Sequence, residues 1–296
     1  MALAATPELV RRDRRFGLLL TAPGLAVLLL VVAFPLVFSI YTSFFDFTLI
    51  SPTFDDFVGL ENYREALDDE YLVPAIWTTF RFVVASVVIE FAIGLSVALA
   101  LNSITRFKNV YYLILLAPLL INPVVVGLLW RMLLHTELGI VNYLIQFIGI
   151  RPVNWLGNAD TAFWTVVLVD IWHQVSFMAI LLLAGLVSLP REPYEAARMD
   201  GASSLSCFIH ITLPLMRPVI VIAVLLRLIF AIKTFDIIFI MTKGGPGTAT
   251  DLVSYFIYRS AFFGLDIARA SAMSAALLVL VLVLTTYLYR YMRSLR

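Results

Sequence analysis

The chain has 296 residues, of which 61% are hydrophobic and 14% are charged, and its formal net charge is +1. Soluble domains carry roughly 25% charged residues, so this composition excludes an ordinary soluble domain and predicts an all-α membrane protein. The single cysteine, Cys207, excludes an internal disulfide and a cysteine-based metal cluster. The histidines lack metal-ligand spacing, and the common nucleotide-binding and hydrolase motifs are absent. No metal site, cofactor site or catalytic centre is therefore predicted on this chain.

Six apolar segments are long enough to cross a bilayer, since a spanning helix needs about 20 mostly apolar residues. In chain order they are Phe16–Phe44, Pro74–Leu101, Val110–Leu134, Ala162–Leu189, Leu213–Met241 and Ile267–Met292. The first is too long for the apolar region of a cleaved signal peptide, so it is expected to remain as a span. Its Pro23 and Pro35 predict kinks. The sequence thus predicts one six-helix membrane domain over residues 16–292, with short tails at 1–15 and 293–296.

Basic residues indicate how these spans are oriented, because lysine and arginine accumulate in short cytoplasmic loops. The first loop predicted outside has one base, Arg64, among eight acidic residues. All the basic clusters fall on one side if both termini are cytoplasmic. Their members are Arg11, Arg12, Arg14, Arg15, Arg106, Lys108, Arg191, Arg198, Arg217, Arg290, Arg293 and Arg296.

Two segments after the fifth span carry local signals. The sequence TKGGPGTAT, Thr242–Thr250, is expected to end the fifth helix because its glycines and proline cannot continue it. The apolar, aromatic stretch Leu252–Phe263 is too short to span. It predicts a helix at the membrane interface or packed against the bundle.

The loop 190–213, predicted to be cytoplasmic, interrupts the apolar pattern with a short helical signal. Pro193 suits a first helical turn, and Glu195 is favoured there by the helix dipole. Gly201 permits a bend, and the apolar spacing from Leu205 predicts a second short helix. From these residues alone two interpretations are open: an amphipathic helix lying under the bilayer, or a helix that docks on a cytoplasmic partner.

The same loop resembles the Glu-Ala-Ala loop of ABC-importer membrane subunits. The matching groups are Glu195-Ala196-Ala197, Asp200-Gly201-Ala202 and Ile211-Thr212-Leu213-Pro214. The stretches FVGLENYREAL and TFDIIFIMTKGGP are similar to the carbohydrate branch of maltose and glycerol-phosphate permeases. The resemblance implies a type I ABC-importer permease fold with a coupling helix at Glu195–Leu205. The implied ATPase-coupling residues are Glu195, Ala196, Ala197, Asp200, Gly201, Ala202 and Leu205.

The resemblance also implies the function and partners of the chain. It implies a non-enzymatic, multi-pass permease subunit in a bacterial plasma (inner) membrane that passes a sugar or related polyhydroxylated solute. The implied partners are a second permease in a pseudo-twofold heterodimer, two ATPase subunits that bind ATP and Mg, and an extracytoplasmic sugar-binding protein. The chain itself is expected to bind no cofactor and no nucleic acid.

Polar residues inside the fourth and fifth spans are the candidates for solute recognition, since intramembrane polar groups are costly. Four residues of the fourth span share one helical face, three of the fifth span share another, and Asn122 of the third span is added beside two prolines. The resemblance places the sugar site on these helices. The predicted substrate-binding residues are Asp170, His173, Gln174, Phe177, Arg227, Ala231, Thr234 and Asn122.

Several alternatives remain open from the residues. Asp170 and Arg227 are alternatively an ion pair that holds the bundle together. Asp170 and His173 are alternatively a proton relay in a stand-alone secondary transporter, although that reading leaves the loop 190–213 unexplained. The small-residue stripe Ala268, Ala272 and Ala276 suits packing either within this chain or against a second membrane subunit.

Overall fold

The computed structural model describes residues 7–104 and 106–294, and within those ranges every extended regular element is a helix. The α-helices are α1 Pro7–Leu28, α2 Phe34–Thr42, α3 Glu61–Asp68, α4 Leu72–Ser103, α5 Lys108–Leu116, α6 Pro123–Leu133, α7 Ile140–Phe147, α8 Ala159–Val187, α9 Glu192–Met199, α10 Ser204–Cys207, α11 Leu213–Ile232, α12 Asp236–Met241, α13 Val253–Phe262 and α14 Ile267–Ser294. Two π-helical segments, Leu29–Ala33 and Phe208–Thr212, and a 3₁₀ turn, Pro118–Leu120, complete the helical elements of the described residues.

Five helical segments within the described residues are long and apolar enough to cross a membrane. They are Leu19–Thr42, Leu72–Ser103, Ala159–Val187, Ser204–Met241 and Ile267–Tyr291. These confirm five of the six predicted spans. They also confirm the all-helical class.

The predicted third span, Val110–Leu134, is wrong as one continuous helix. The chain forms α5, a 3₁₀ turn at Pro118, an extended residue at Ile121 and then α6. Pro118 and Pro123 lack the backbone N–H groups that would carry the helix across this point. Asn122 instead caps α6, because its side-chain oxygen accepts a hydrogen bond from the Val124 N–H at 2.9 Å.

The α-helix α11 begins at Leu213, where the fifth span was predicted to start, but the helical segment continues upstream to Ser204. A π-helical turn immediately before α11 connects the two parts. Since Pro214 has no N–H, a carbonyl one turn earlier has no partner at the normal spacing, and the helix widens locally and continues. In the first span, the π-helical segment Leu29–Ala33 likewise lies just before a proline, Pro35.

Two predictions about the later segments are confirmed in their local structure. The short apolar stretch after the fifth span forms α13. The fifth span ends at Met241, and Gly244 and Gly247 follow with positive φ angles of 80° and 60°.

In α14, Ala268 and Ala272 are buried inside this chain while Ala276 is exposed, so the first half of the small-residue stripe packs within this chain.

Contacts divide the chain into two units. The first contains residues up to Ala66 and Ser260–Leu277. The loop that follows α2 is held by Asn62, whose side-chain amide donates to the carbonyl oxygens of Ser43 at 2.9 Å and Phe45 at 2.8 Å. These bonds satisfy backbone groups that would otherwise lack partners near the end of α2.

The second unit contains Leu67–Arg259 and Leu278–Arg296, and α8 is its central helix, packed against α4 and α11. A Cβ on Gly94 would lie 2.8 Å from Cγ of Met178, so α4 and α8 approach closely only because this residue has no side chain. Gly185 allows the same approach to Val219 of α11. This packing sets the positions of the polar residues on α8.

Candidate functional site

A cavity of about 560 Å³ is lined by α8, by the segment joining α11 to α12, and by the break before α6. Its walls combine hydrogen-bonding side chains with aromatic rings. Five of the eight predicted substrate residues line it: Asp170, His173, Gln174, Phe177 and Thr234. Lys233, Asp236, Phe230 and Phe235 also line it, although they were not predicted as site residues.

The other three predicted residues lie outside the cavity lining. Arg227 and Ala231 are each 0% exposed and packed inside the bundle. Asn122 caps α6, while its neighbours Ile121 and Pro123 contribute to the cavity wall. Residues that share a helical face therefore do not all line the same cavity, because the face does not specify how deeply each residue lies between neighbouring helices.

His173 connects α8 to the break before α6. Its Nε2 lies 3.1 Å from the carbonyl oxygen of Ile121, and its Nδ1 lies 3.2 Å from the amide nitrogen of Gln174. Donation from Nε2 to the carbonyl and acceptance at Nδ1 satisfy both contacts with a neutral imidazole. This arrangement supports Gln174 at the cavity wall.

The largest fully buried side chain in the described residues is that of Arg227, which contacts two carboxylates. Its Nε and Nη2 donate to Glu90, with Nη2 2.8 Å from Oε1, and Nη2 also donates to Oδ2 of Asp170. The side chains of Arg227, Glu90 and Asp170 are only 1%, 0% and 3% exposed. These three residues, hereafter the ionic triad, connect α11, α4 and α8.

The ionic triad contains the contact that the sequence left as an alternative, an ion pair between Asp170 and Arg227. The sequence analysis missed its third member, Glu90. The sequence does contain a signal for Glu90, which is a single carboxylate within the long apolar helix α4. Such a residue predicts a buried partner, because intramembrane ionisable residues need one. Asp170 belongs both to the ionic triad and to the cavity wall, since it contacts Arg227 and also lines the cavity.

Aromatic rings form one part of the apolar wall of the cavity, and Leu119, Ile121, Pro123 and Ile237 form the rest. The rings of Phe177 and Phe230 meet edge to face with centroids 5.4 Å apart, and Nζ of Lys233 lies 5.8 Å from the Phe230 centroid. The cavity therefore offers flat apolar surfaces next to hydrogen-bond donors and acceptors. No group of three His, Cys, Asp or Glu side chains that could hold a metal occurs within the described ranges.

A third buried carboxylate, Asp251, lies outside the spans, at the start of the segment leading to α13. Asp251 accepts from Nη2 of Arg259 at 2.8 Å, and its side chain is only 2% exposed. Its Oδ1 is buried and has no hydrogen-bond partner. Burial raises the pKa of Asp251 from 3.8 to about 6, while Arg259 acts in the opposite direction.

This carboxyl predicts a pH-dependent stability. Between pH 3.8 and about 6 the folded chain binds more protons than the unfolded chain, so stability falls as pH rises through that window. From pH 5 to pH 7.5 the expected loss of stability is roughly 1 kcal/mol. Thermal unfolding of wild type and of Asp251→Asn at both pH values measures it. We expect the wild type to lose more stability than the variant, and equal losses would contradict the assignment.

The helix α9 carries three of the seven predicted coupling residues, Glu195, Ala196 and Ala197, because it ends earlier than predicted. It closes after Met199 in a turn where the Gly201 N–H donates to the Arg198 carbonyl at 3.1 Å and the Ala202 N–H to the Ala197 carbonyl at 2.9 Å. Gly201 has φ +78°, which this helix-ending motif requires and glycine adopts freely. The predicted helix Glu195–Leu205 is therefore wrong in its bounds.

The two halves of the predicted motif thus lie on different elements. Glu195, Ala196 and Ala197 lie in α9, and Asp200 to Ala202 form the turn. Leu205 lies in α10, which starts when Ser203 accepts a hydrogen bond from the Ser206 N–H.

Comparison with known proteins identifies the family. Residues 90–296 match the family described as binding-protein-dependent transport system inner membrane component. The chain belongs to this family. It is therefore a multi-pass inner-membrane permease subunit of an ABC importer, and a transport component rather than an enzyme.

Several relatives align with almost the whole permease. The trehalose/maltose transport system permease protein MalF of Thermococcus litoralis is 37% identical over 281 residues, covering 95% of this chain and 94% of the relative. The sulfoquinovosyl glycerol permease SmoG of Agrobacterium fabrum is 36% identical, covering 95% and 92%. The sn-glycerol-3-phosphate permease UgpA of Escherichia coli is 33% identical, covering 96% of each.

A solved structure supports the fold of the permease. A chain of a bacterial ABC transporter involved in the import of the acidic polysaccharide alginate superposes with a TM-score of 0.82, covering 96% of this chain and 98% of that one. The identity is 24%, so this likeness supports the fold alone. The fold is that of an ABC-importer permease.

Proposed function

We propose that this permease forms one half of the pathway through which an ATP-driven importer passes a sugar or related polyhydroxylated solute. The observation that carries the proposal is the intramembrane cavity in which Asp170, His173, Gln174 and Thr234 adjoin aromatic rings. Such a mixture suits a ligand with many hydroxyl groups and apolar ring faces. The names of the relatives, which include a trehalose/maltose permease, support this solute class.

The proposed topology has six spans with both termini in the cytoplasm. The third span consists of α5 and α6 with the break between them. Leu119, Ile121 and Pro123 at the break line the cavity, and irregular backbone is tolerated where it lines a cavity. The distribution of lysine and arginine supports this orientation. The membrane domain then covers residues 16–292, with tails at 1–15 and 293–296, although the helix α1 already begins at Pro7.

In this proposal the cavity residues bind solute directly, and the predicted residues outside the lining act indirectly. Arg227 orients Asp170, Ala231 allows close packing, and Asn122 holds the break that exposes the Ile121 carbonyl to His173. Asp170, with one oxygen engaged by Arg227, retains its other oxygen as an acceptor.

Coupling to ATP hydrolysis is proposed to act through α9 and the turn after it. Ala196 and Ala197 have small side chains that permit close approach of an ATPase subunit, and Gly201 sets the angle between α9 and α10. The proposed assembly contains a second permease, two ATPase subunits that bind ATP and Mg, and an extracytoplasmic binding protein. A related alginate importer has been crystallised in complex with its ligand-bound periplasmic protein, which supports the last partner.

The energy source tests the proposed function. Proteoliposomes containing the assembled transporter and its binding protein should take up labelled solute only with ATP inside, since the permease is expected to bind no nucleotide. Collapse of the proton gradient with an uncoupler should leave the rate within about twofold. Uptake that persisted without ATP and stopped with the uncoupler would establish a proton-coupled carrier instead.

The solute site has its own prediction. Gln174→Leu should lower uptake about tenfold, because it removes a hydrogen-bonding group from the cavity wall and leaves Nδ1 of His173 without its donor. The matched control is Gln146→Leu on α7, where the side chain is exposed and lies outside the cavity lining. Transport assays, with subunit assembly measured in parallel, check this. Equal uptake by the two variants would remove Gln174 from the site.

A further inference from the structure

A second cavity of about 720 Å³ lies at the end of the bundle where α4 and α8 leave their apolar spans and α9 begins. Three basic side chains line it: Lys108 at the start of α5, and Arg191 and Arg198 at the two ends of α9. Glu195 is its one acidic lining residue. Three cations and one anion make the formal charge of the lining +2.

None of the three basic groups has a carboxylate partner among the side chains that the structure describes, and those of residues 7–15 are not among them. Their alignment follows from the helix. Arg191, Tyr194, Glu195 and Arg198 are spaced i, i+3, i+4 and i+7, so one face of α9 is turned toward the cavity. The Tyr194 hydroxyl lies 3.0 Å from Oγ1 of Thr212, which fixes this face against the π-helical turn before α11.

Much of the remaining wall is apolar and lies in the spans or just after them, with Asn102 and Thr212 as polar members. Leu99 of α4 and Val187 and Leu189 at the end of α8 line the cavity, and Val187 is 68% exposed. The cavity therefore joins a hydrocarbon surface to a cluster of cations at the boundary of the membrane. A soluble anion would match only the basic half, whereas an anionic phospholipid matches both.

We infer that this cavity binds an anionic phospholipid, with the phosphate between Lys108, Arg191 and Arg198 and an acyl chain along Leu99 and Val187. Arginine and lysine suit phosphate oxygens through charge-assisted hydrogen bonds. Bound lipid would join the ends of α4, α5 and α8 to α9. Ala196 and Ala197 lie off the cavity face of α9, so a lipid here leaves them accessible to a partner.

Native mass spectrometry of the assembled transporter tests the inference. Phosphatidylglycerol and phosphatidylcholine with the same acyl chains are titrated against wild type, and we expect phosphatidylglycerol to bind about tenfold more tightly. Lys108→Gln/Arg191→Gln/Arg198→Gln should reduce this preference to about twofold or less. Arg198→Gln alone should reduce it about threefold, which keeps the test decisive if the triple variant assembles poorly.

The matched control removes three other basic residues predicted on the same membrane side, as Arg217→Gln/Arg290→Gln/Arg293→Gln, and should keep the preference. If this control lost the preference for phosphatidylglycerol to the same extent, the preference would come from the overall charge of the surface, and the proposal would be overturned. Millimolar inorganic phosphate should not displace the lipid, and full displacement would show a free-anion site. An unchanged lipid preference with loss of the ATPase subunits from the cavity variant would show a protein contact instead.

Discussion

Replacing Arg227 with methionine is expected to destabilise the permease by roughly 3–5 kcal/mol, because it leaves Glu90 and Asp170 as uncompensated buried carboxylates. The guanidinium is the single cation of the ionic triad and donates to both acids. Lysine cannot reproduce the fork of donors, so Arg227→Lys should recover only part of the loss. Thermal unfolding of the purified transporter, with the amount of permease recovered from membranes, measures the effect.

The charge-free variant Glu90→Met/Asp170→Leu/Arg227→Met separates two explanations of that loss. If the cost arises from unpaired buried charge, removing all three groups should restore most of the stability, because apolar side chains of similar volume replace a buried ionic network well. Uptake should remain low, since Asp170 also lines the solute cavity. A triple variant as unstable as Arg227→Met would instead attribute the loss to altered packing.

Replacing Gly201 with valine is expected to lower uptake at least tenfold and to abolish the stimulation of ATP hydrolysis by loaded binding protein. A Cβ at Gly201 would meet no atom within 4 Å, so the effect comes from the backbone alone. A β-branched residue at φ +78° carries strain of roughly 1–3 kcal/mol, which favours a different turn and reorients α9.

Gly201→Asn is the matched control for this prediction. Asparagine tolerates the left-handed conformation, so this variant should retain more than half of wild-type uptake although it adds a larger polar side chain. Assembly with the ATPase subunits and basal ATP hydrolysis are measured for both variants. Equal uptake by the valine and asparagine variants would show that the turn conformation does not control coupling.

Features that depend on short stretches of sequence were predictable. Apolar length located five spans, because a bilayer demands about 20 apolar residues in a row. Proline and glycine marked the end of the fifth span and the turn at Gly201, since those residues restrict or extend the backbone locally. The motif around Glu195 was sufficient to indicate the family that residues 90–296 confirm.

Local rules failed where two of them competed. Apolar length favoured one helix across Val110–Leu134, but the missing N–H groups of Pro118 and Pro123 broke it. Pro214 also lacks a backbone N–H, but there the helix does not break. A π-helical turn precedes this proline, and the helix is continuous from Ser204. Hydropathy alone does not distinguish these outcomes.

The sequence by itself determined that this protein is a helical membrane permease and which helices carry its polar residues. Only the tertiary structure decided that Glu90 joins Arg227 and Asp170, and that Arg227 is buried beneath the residues lining the cavity rather than in it. Glu90 and Arg227 are 137 residues apart in the chain. Helical periodicity assigns each residue to a face, but the partner of a buried charge depends on which helices pack together and how closely. Contacts such as Gly94 against Met178 set that distance.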